Sequence, residues 1–302
     1  MPGTVLTGAD TLVLFGFETN YGVEAETTLP FGKAVSITSA DTNNNLELLH
    51  GVGKRAADDV DVKKFEMSFT AEWKLASAAI FPALFGPKNE DESYDAELGP
   101  QPITVAVSTT VGTKNMLQIY TGCLCSEAKC TVDTEGALGI SATFQASRMD
   151  LREGSLPKLF DAKSIYTFAE CDWHVDGVRQ SNVSNVEISI NNGIELNYEI
   201  GTRFAAGYKC GNMEVSASLT HQYDSEEYLK STFGGDVPQE YGPDVLPCKL
   251  VLKSLRGNPG VTFDLKNARI NTYGSPWKSG DIVEESLNII SEDLKVTVTG
   301  GA

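Results

Sequence analysis

A repeat at an offset of 148 residues constrains this chain more than any other feature. Set without gaps, Val35–Gly86 and Val183–Gly234 carry identical residues at 14 of 52 positions, among them Asn43/Asn191, Asn44/Asn192, Glu47/Glu195, Gly53/Gly201, Arg55/Arg203, Glu66/Glu214, Phe85/Phe233 and Gly86/Gly234. Others are conservative, such as Leu46/Ile194, Val52/Ile200 and Phe65/Met213. The matches span segments of different expected structure, so shared composition does not account for them. Solenoid repeats have periods of about 20–50 residues, whereas a unit near 150 is long enough to own a core. The chain therefore reads as two tandem homologous domains, residues 1–150 and 151–302, joined between Arg148 and Ser164.

Charge and cysteine narrow the function. Twenty-four Lys and Arg against 41 Asp and Glu give a formal net charge of −17, which argues against gripping nucleic acid through phosphates or docking on an anionic bilayer. MPGTVLTGAD lacks a basic stretch followed by an apolar run, and no segment reaches the roughly 20 apolar residues of a membrane span. The expected compartment is the cytoplasm of the cell that makes the protein. Six cysteines are too few for a disulfide scaffold of this size. Cys123, Cys125 and Cys130 form C-x-C-x4-C, without the paired C-x2-C spacing of a zinc site, and read as small apolar residues.

Period-two alternation dominates. Val186, Ile188, Ile190, Ile194, Leu196, Tyr198 and Ile200 share one parity, with polar residues between them, which is a strand signature. Asn192-Gly193 has type I′ turn composition, but pairing across it would oppose Ile194 and Leu196 to Asn191 and Ser189. A kink or bulge inside a strand of about 15 residues, about 50 Å long, is expected instead. Its partner carries Met213, Val215, Ala217 and Leu219 on one face, matched in the first half by Phe65, Met67, Phe69, Ala71 and Trp73. Each pair makes a long hairpin with a connection of about 10–14 residues. A helix follows in DSEEYLKSTFGG, with Asp224 or Ser225 as N-cap, Gly234 at C′, and Tyr228, Leu229 and Phe233 on the sheet. Pro82 kinks or shortens its first-half counterpart. Further strands are expected at Ile103–Val111, Met116–Cys125, Leu138–Ala146, Leu250–Leu255, Val261–Ile270 and Leu294–Val298. The predicted fold is mainly β: two tandem β-sandwich or barrel domains, each with a long hairpin and one flanking α-helix.

No catalytic constellation emerges. His50, His174 and His221 fit neither a Ser-His-Asp order nor an HExxH spacing, and read as structural or surface residues. GVGKRAA lacks the first glycine and the Ser/Thr of a phosphate loop. Glu90, Asp91, Glu92, Asp95 and Glu97 lack the alternating oxygens and glycine of a calcium loop, and with Asp58, Asp59 and Asp61 read as solvated clusters. No catalytic residue, cofactor or metal is assigned, and no enzyme activity is expected.

The pattern NN-x-[LI]-E, then G-[KT]-R, an amphipathic strand and a capped helix ending Phe-Gly occurs twice. It resembles the two-domain tail tube proteins, or major tail proteins, of tailed phages and archaeal tailed viruses. That resemblance implies a self-assembling virion protein whose stacked rings conduct the genome, with other tail proteins at the tube ends and DNA as a partner only in transit. Six-fold rings in that family imply three two-domain chains per ring. It also implies that the long loops, His50–Lys63 with Gly53 and Arg55, and Tyr198–Asn212 with Gly201 and Arg203, contact the next ring. An acidic bore would repel duplex DNA and avoid trapping it. The competing reading is a carbohydrate-binding or adhesive β-sandwich with Trp173 and Trp277 stacked on sugar.

Overall fold

A computed structural model describes residues 11–300, except 51, 53–54, 112–113, 135, 224–225, 241, 256 and 276–282. The first half supplies β1 (Thr11–Phe17), β2 (Leu29–Pro30), β3 (Lys33–Asn43), β4 (Leu46–Leu49), β5 (Asp59–Val62), β6 (Glu66–Lys74), α1 (Phe81–Phe85), β7 (Ser93–Asp95), β8 (Ile103–Val111), β9 (Lys114–Asp133), β10 (Gly139–Ala146) and β11 (Arg148–Glu153). The second supplies β12 (Cys171–Val175), β13 (Val178–Arg179), β14 (Val183–Asn191), β15 (Ile194–Tyr198), β16 (Ala205–Cys210), β17 (Glu214–Gln222), α2 (Glu227–Phe233), β18 (Cys248–Leu252), β19 (Gly260–Lys266), β20 (Arg269–Gly274), β21 (Glu284–Ser291) and β22 (Asp293–Thr299).

One long sheet runs through both halves in the order β3-β6-β10-β9-β14-β17-β21-β20. An outer sheet covers it in each half: β2-β1-β8-β9-β11 in the first, β13-β12-β18-β19-β22 in the second, with β7 added to the latter's edge. These layers make a mainly β, sandwich-type fold. Alternation explains the core. Met67, Phe69, Ala71 and Trp73 from β6 and Ile140, Ala142, Phe144 and Ala146 from β10 are buried, their odd or even neighbours facing the other way. Phe15 of β1 and Tyr120 of β9 close the sandwich: Phe15 meets Phe31 at 5.0 Å, Phe31 meets Trp73 at 5.2 Å, and Tyr120 meets Phe69 at 5.1 Å. Trp173 is also buried, 3% exposed, so its ring is not offered to a sugar. Trp277 lies outside the described residues.

The strand of about 15 residues expected over 186–200, with a kink or bulge inside it, is instead two strands in different sheets, β14 and β15. Gly193 takes φ 56° and a Cβ there would collide with the Asn212 carbonyl, so the chain turns out of the long sheet. β15 and β16 then pair only with each other. The loop read over Tyr198–Asn212 thus contains a strand, β16, which closes a separate two-stranded arm with β15, and β4–β5 form its counterpart. Conversely, β9 runs past Cys125 to Asp133. Its register against β10 slips at Ser126; this bulge flips the facing parity from Cys123 and Cys125 to Ala128, Cys130 and Val132. That broken alternation is why the sequence ended the strand too early. Val261–Ile270 is likewise not one strand: Asn267, at φ 49°, divides it into β19 and β20.

α2 ends on Gly234 at φ 74° as expected, while its expected caps Asp224 and Ser225 lie outside the described residues. Pro82 sits in the first turn of α1, which is only five residues long. Part of the acidic stretch 90–97 is structural: Ser93–Asp95 forms β7 on β22, and Asp91 meets Lys295 at 3.0 Å.

Candidate assembly interface

Three features of the fold bear on how this chain could meet other copies of itself. The first, internal to the chain, is the seam between the halves, where β9 pairs with β14 from Asp133–Asn185 to Glu127–Asn191. Asn192 seals its end. The buried amide donates from Nδ2 to the Cys125 carbonyl at 3.0 Å and to the Leu84 carbonyl of α1 at 3.2 Å, and its backbone N–H reaches the Ser126 carbonyl at 2.8 Å. α1 backs the seam, with Phe81 and Phe85 6.1 and 5.9 Å from Phe263 of the second half.

The second is the pair of arms. β15–β16 folds back over the first half. Tyr198 Oη donates to the Phe65 carbonyl at 3.1 Å, and Ser147 Oγ donates to the Ala205 carbonyl at 2.7 Å. Arg203 Nε donates to the Lys63 carbonyl at 2.9 Å, while the Phe65 N–H returns a bond to the Arg203 carbonyl at 2.9 Å. Phe204 stacks edge-on against Phe65 at 5.7 Å, with the Arg148 guanidinium 5.3 Å from its ring centre. Of the four loop residues singled out in the sequence, Arg203 thus lies against its own chain's first half. Gly201, at φ 101°, sits near the arm tip with open space around it. Arg55 is exposed, and Gly53 lies outside the described residues. Asn192, Tyr198 and Phe204 were missed, although the Asn44/Asn192 identity in the repeat was a signal for the first.

The third is the face of the long sheet turned away from the core. It is mostly polar, with Ser68, Thr70, Ser141, Thr143, Ser189, Ser216 and Ser218 at its centre and Ile290 of β21 an exposed apolar exception. Among the described residues, strand parity puts eight carboxylates there, Asp41, Glu66, Glu72, Glu127, Asp133, Glu187, Glu214 and Glu284. Four cations oppose them, Lys33, Lys74, Lys129 and Arg269. Lys64 and Asn45 hold the Glu66 carboxyl below its ordinary value.

Among the described residues no three His, Cys, Asp or Glu side chains converge as a metal set. Burial pushes the Cys123, Cys125 and Cys130 thiols up. His50 is exposed, and His174 is half-buried. His221 is buried, its Nδ1 3.3 Å from Glu285 Oε2, and Tyr273 Oη donates to Glu285 Oε1 at 2.5 Å. This polar cluster sits beside Tyr228 of α2.

Residues 8–272 match the sequence profile of the family described as phage tail tube protein. The chain belongs to that family. Among curated proteins, none matches it. Membership gives this tail tube chain a structural role in the virion tail. The family resemblance read from the repeated NN-x-[LI]-E and G-[KT]-R motifs is therefore borne out.

Proposed function

We propose that residues 1–150 and 151–302 are two copies of one tail-tube unit, and that three chains close a pseudo-hexameric ring. One observation carries this reading. The long sheet orders its strands β3-β6-β10-β9 and then β14-β17-β21-β20. At an offset of 148, β3 corresponds to β14 and β6 to β17; β20 takes the place of β9, even to a register slip at Asn271 where β9 slips at Ser126. The two strands at the free edges, β3 and β20, are therefore counterparts of the two already paired at the seam. Pairing β20 of one chain with β3 of the next repeats the seam and removes both open edges.

Three chains of eight strands give a 24-stranded barrel. At about 4.8 Å between strands and the usual tilt, it is about 50 Å across its backbones. The uncovered polar face lines it, and its excess of carboxylates disfavours phosphate binding, suiting a conduit for the genome. Rings stack through the arm tips, where Val52 and Ile200 are fully exposed at corresponding positions. Made and assembled in the host cytoplasm, the tube meets other tail proteins at its ends.

Native mass spectrometry of single rings, together with the symmetry of assembled tubes, tests this. Three chains per ring are expected; six chains in a single-layer ring overturn it.

A further inference from the structure

The two arms share one internal register. Leu46 opposes Val62 and Leu48 opposes Val60 in β4–β5; Ile194 opposes Cys210 and Leu196 opposes Tyr208 in β15–β16, each 148 residues on. Their surroundings differ. The second arm rests on the first half, and Ile194 is only 8% exposed. In the first arm Leu46, Leu48, Val60 and Val62 are 61%, 61%, 44% and 48% exposed. A lone two-stranded hairpin is marginal in water, and clustered apolar side chains on one mark a contact surface.

We propose that the β4–β5 arm is a lateral clasp for a second copy of this chain, docking on the neighbour's second half as β15–β16 docks on its own first half. The proposal rests on the ring reading above. Within the chain, Arg203 bonds to Asn44 and to the Lys63 carbonyl. The same offset sets Arg55 on Asn192 and Gly211 of the neighbour, and sets His50, the counterpart of Tyr198, at Met213. Beyond the bulge the offset becomes 145: Ser147 donates its N–H to the Thr121 carbonyl, and Glu292 does the same to the Lys266 carbonyl. Ala57, the counterpart of Ala205, therefore falls beside Glu292 of the neighbour. The occupant is a second copy because only this chain repeats both the docking arginine and the register of the docked arm. The base of the arm thus faces sideways within a ring, and only its tip faces the next ring.

The test is disulfide trapping in the full chain carrying Cys210→Ser, Ala57→Cys and Glu292→Cys, oxidised after assembly. Covalent products are expected to stop at three chains. A ladder running past three would show axial docking, and assembled tubes without cross-links would show no docking; either overturns the clasp. Arg55→Ala gives a second readout: the free chain keeps its denaturation midpoint while ring assembly weakens at least tenfold, and unchanged assembly overturns the proposal. If the unsubstituted protein forms no three-chain rings, the ring reading fails first.

Discussion

Arg203 donates from Nη2 to both the main-chain oxygen and Oδ1 of Asn44, each at 3.1 Å, across 159 residues of sequence. Both residues recur at the 148-residue offset, as Arg55 and Asn192. Between the two halves of the chain, Arg203 engages Asn44 while Asn192 engages the Leu84 and Cys125 carbonyls.

Arg203→Ala should lower the stability of the free chain by about 1 kcal/mol, below the usual range of about 1.5–3 kcal/mol for bonds to charged groups because the site is exposed. Arg55→Ala should stay within about 0.5 kcal/mol, as an exposed substitution does. Urea denaturation of both variants at equal slope measures the difference. Equal losses would mean that the two arms are anchored alike in the free chain.

Asn192→Ala strips the donor from two buried carbonyls, those of Leu84 and Cys125, and should cost about 2–3 kcal/mol. Asn44→Ala, at an exposed position, should cost less than about 1 kcal/mol in the free chain. Amide exchange at the β9–β14 seam should accelerate only in the Asn192 variant. A loss in Asn44→Ala matching that of Asn192→Ala would contradict the different burial of the two amides.

Charge reversal on the polar face, with Glu72→Lys, Glu187→Lys and Glu214→Lys combined, should leave the fold and tube assembly intact. Genome ejection should slow. The defect should ease as salt rises, since screening lengths fall from about 10 Å at 0.1 M to about 3 Å at 1 M. Unchanged ejection kinetics in tubes carrying all three lysines would show that this face does not line the conduit.

Asp91 links the first half to β22. The Ser93 hydroxyl and then Lys295 hold its carboxyl down at about 2, below its ordinary 3.8. A depressed carboxylate contributes stability above its unfolded value and loses it as pH falls through the folded one. The contribution is thus present above about pH 4 and lost toward pH 2. Amide exchange of β7 should quicken over that window in the unsubstituted chain, and Asp91→Asn should abolish this step. A step of equal size in the variant would assign it to another group.

The sequence by itself determined the strand-rich character, the α2 helix with its Gly234 cap, the buried faces of β6, β14 and β17, and the family. All of these depend on local spacing, which a period of two or a glycine at a helix end records directly. Only the tertiary structure decided which edges meet. Backbone donors and acceptors on β9 and β14 are chemically the same as those on β3 and β20, so nothing local to either strand says that one pair is joined inside the chain and the other left open. Parity also fails wherever the backbone resets it. Ser126 turned a 20-residue strand into an apparent 10-residue one, and left-handed Gly193 kept the alternation going while sending the chain into a separate arm. The place of Arg203 on Asn44 follows from both, because the arm reaches the first half only after that turn and across that seam.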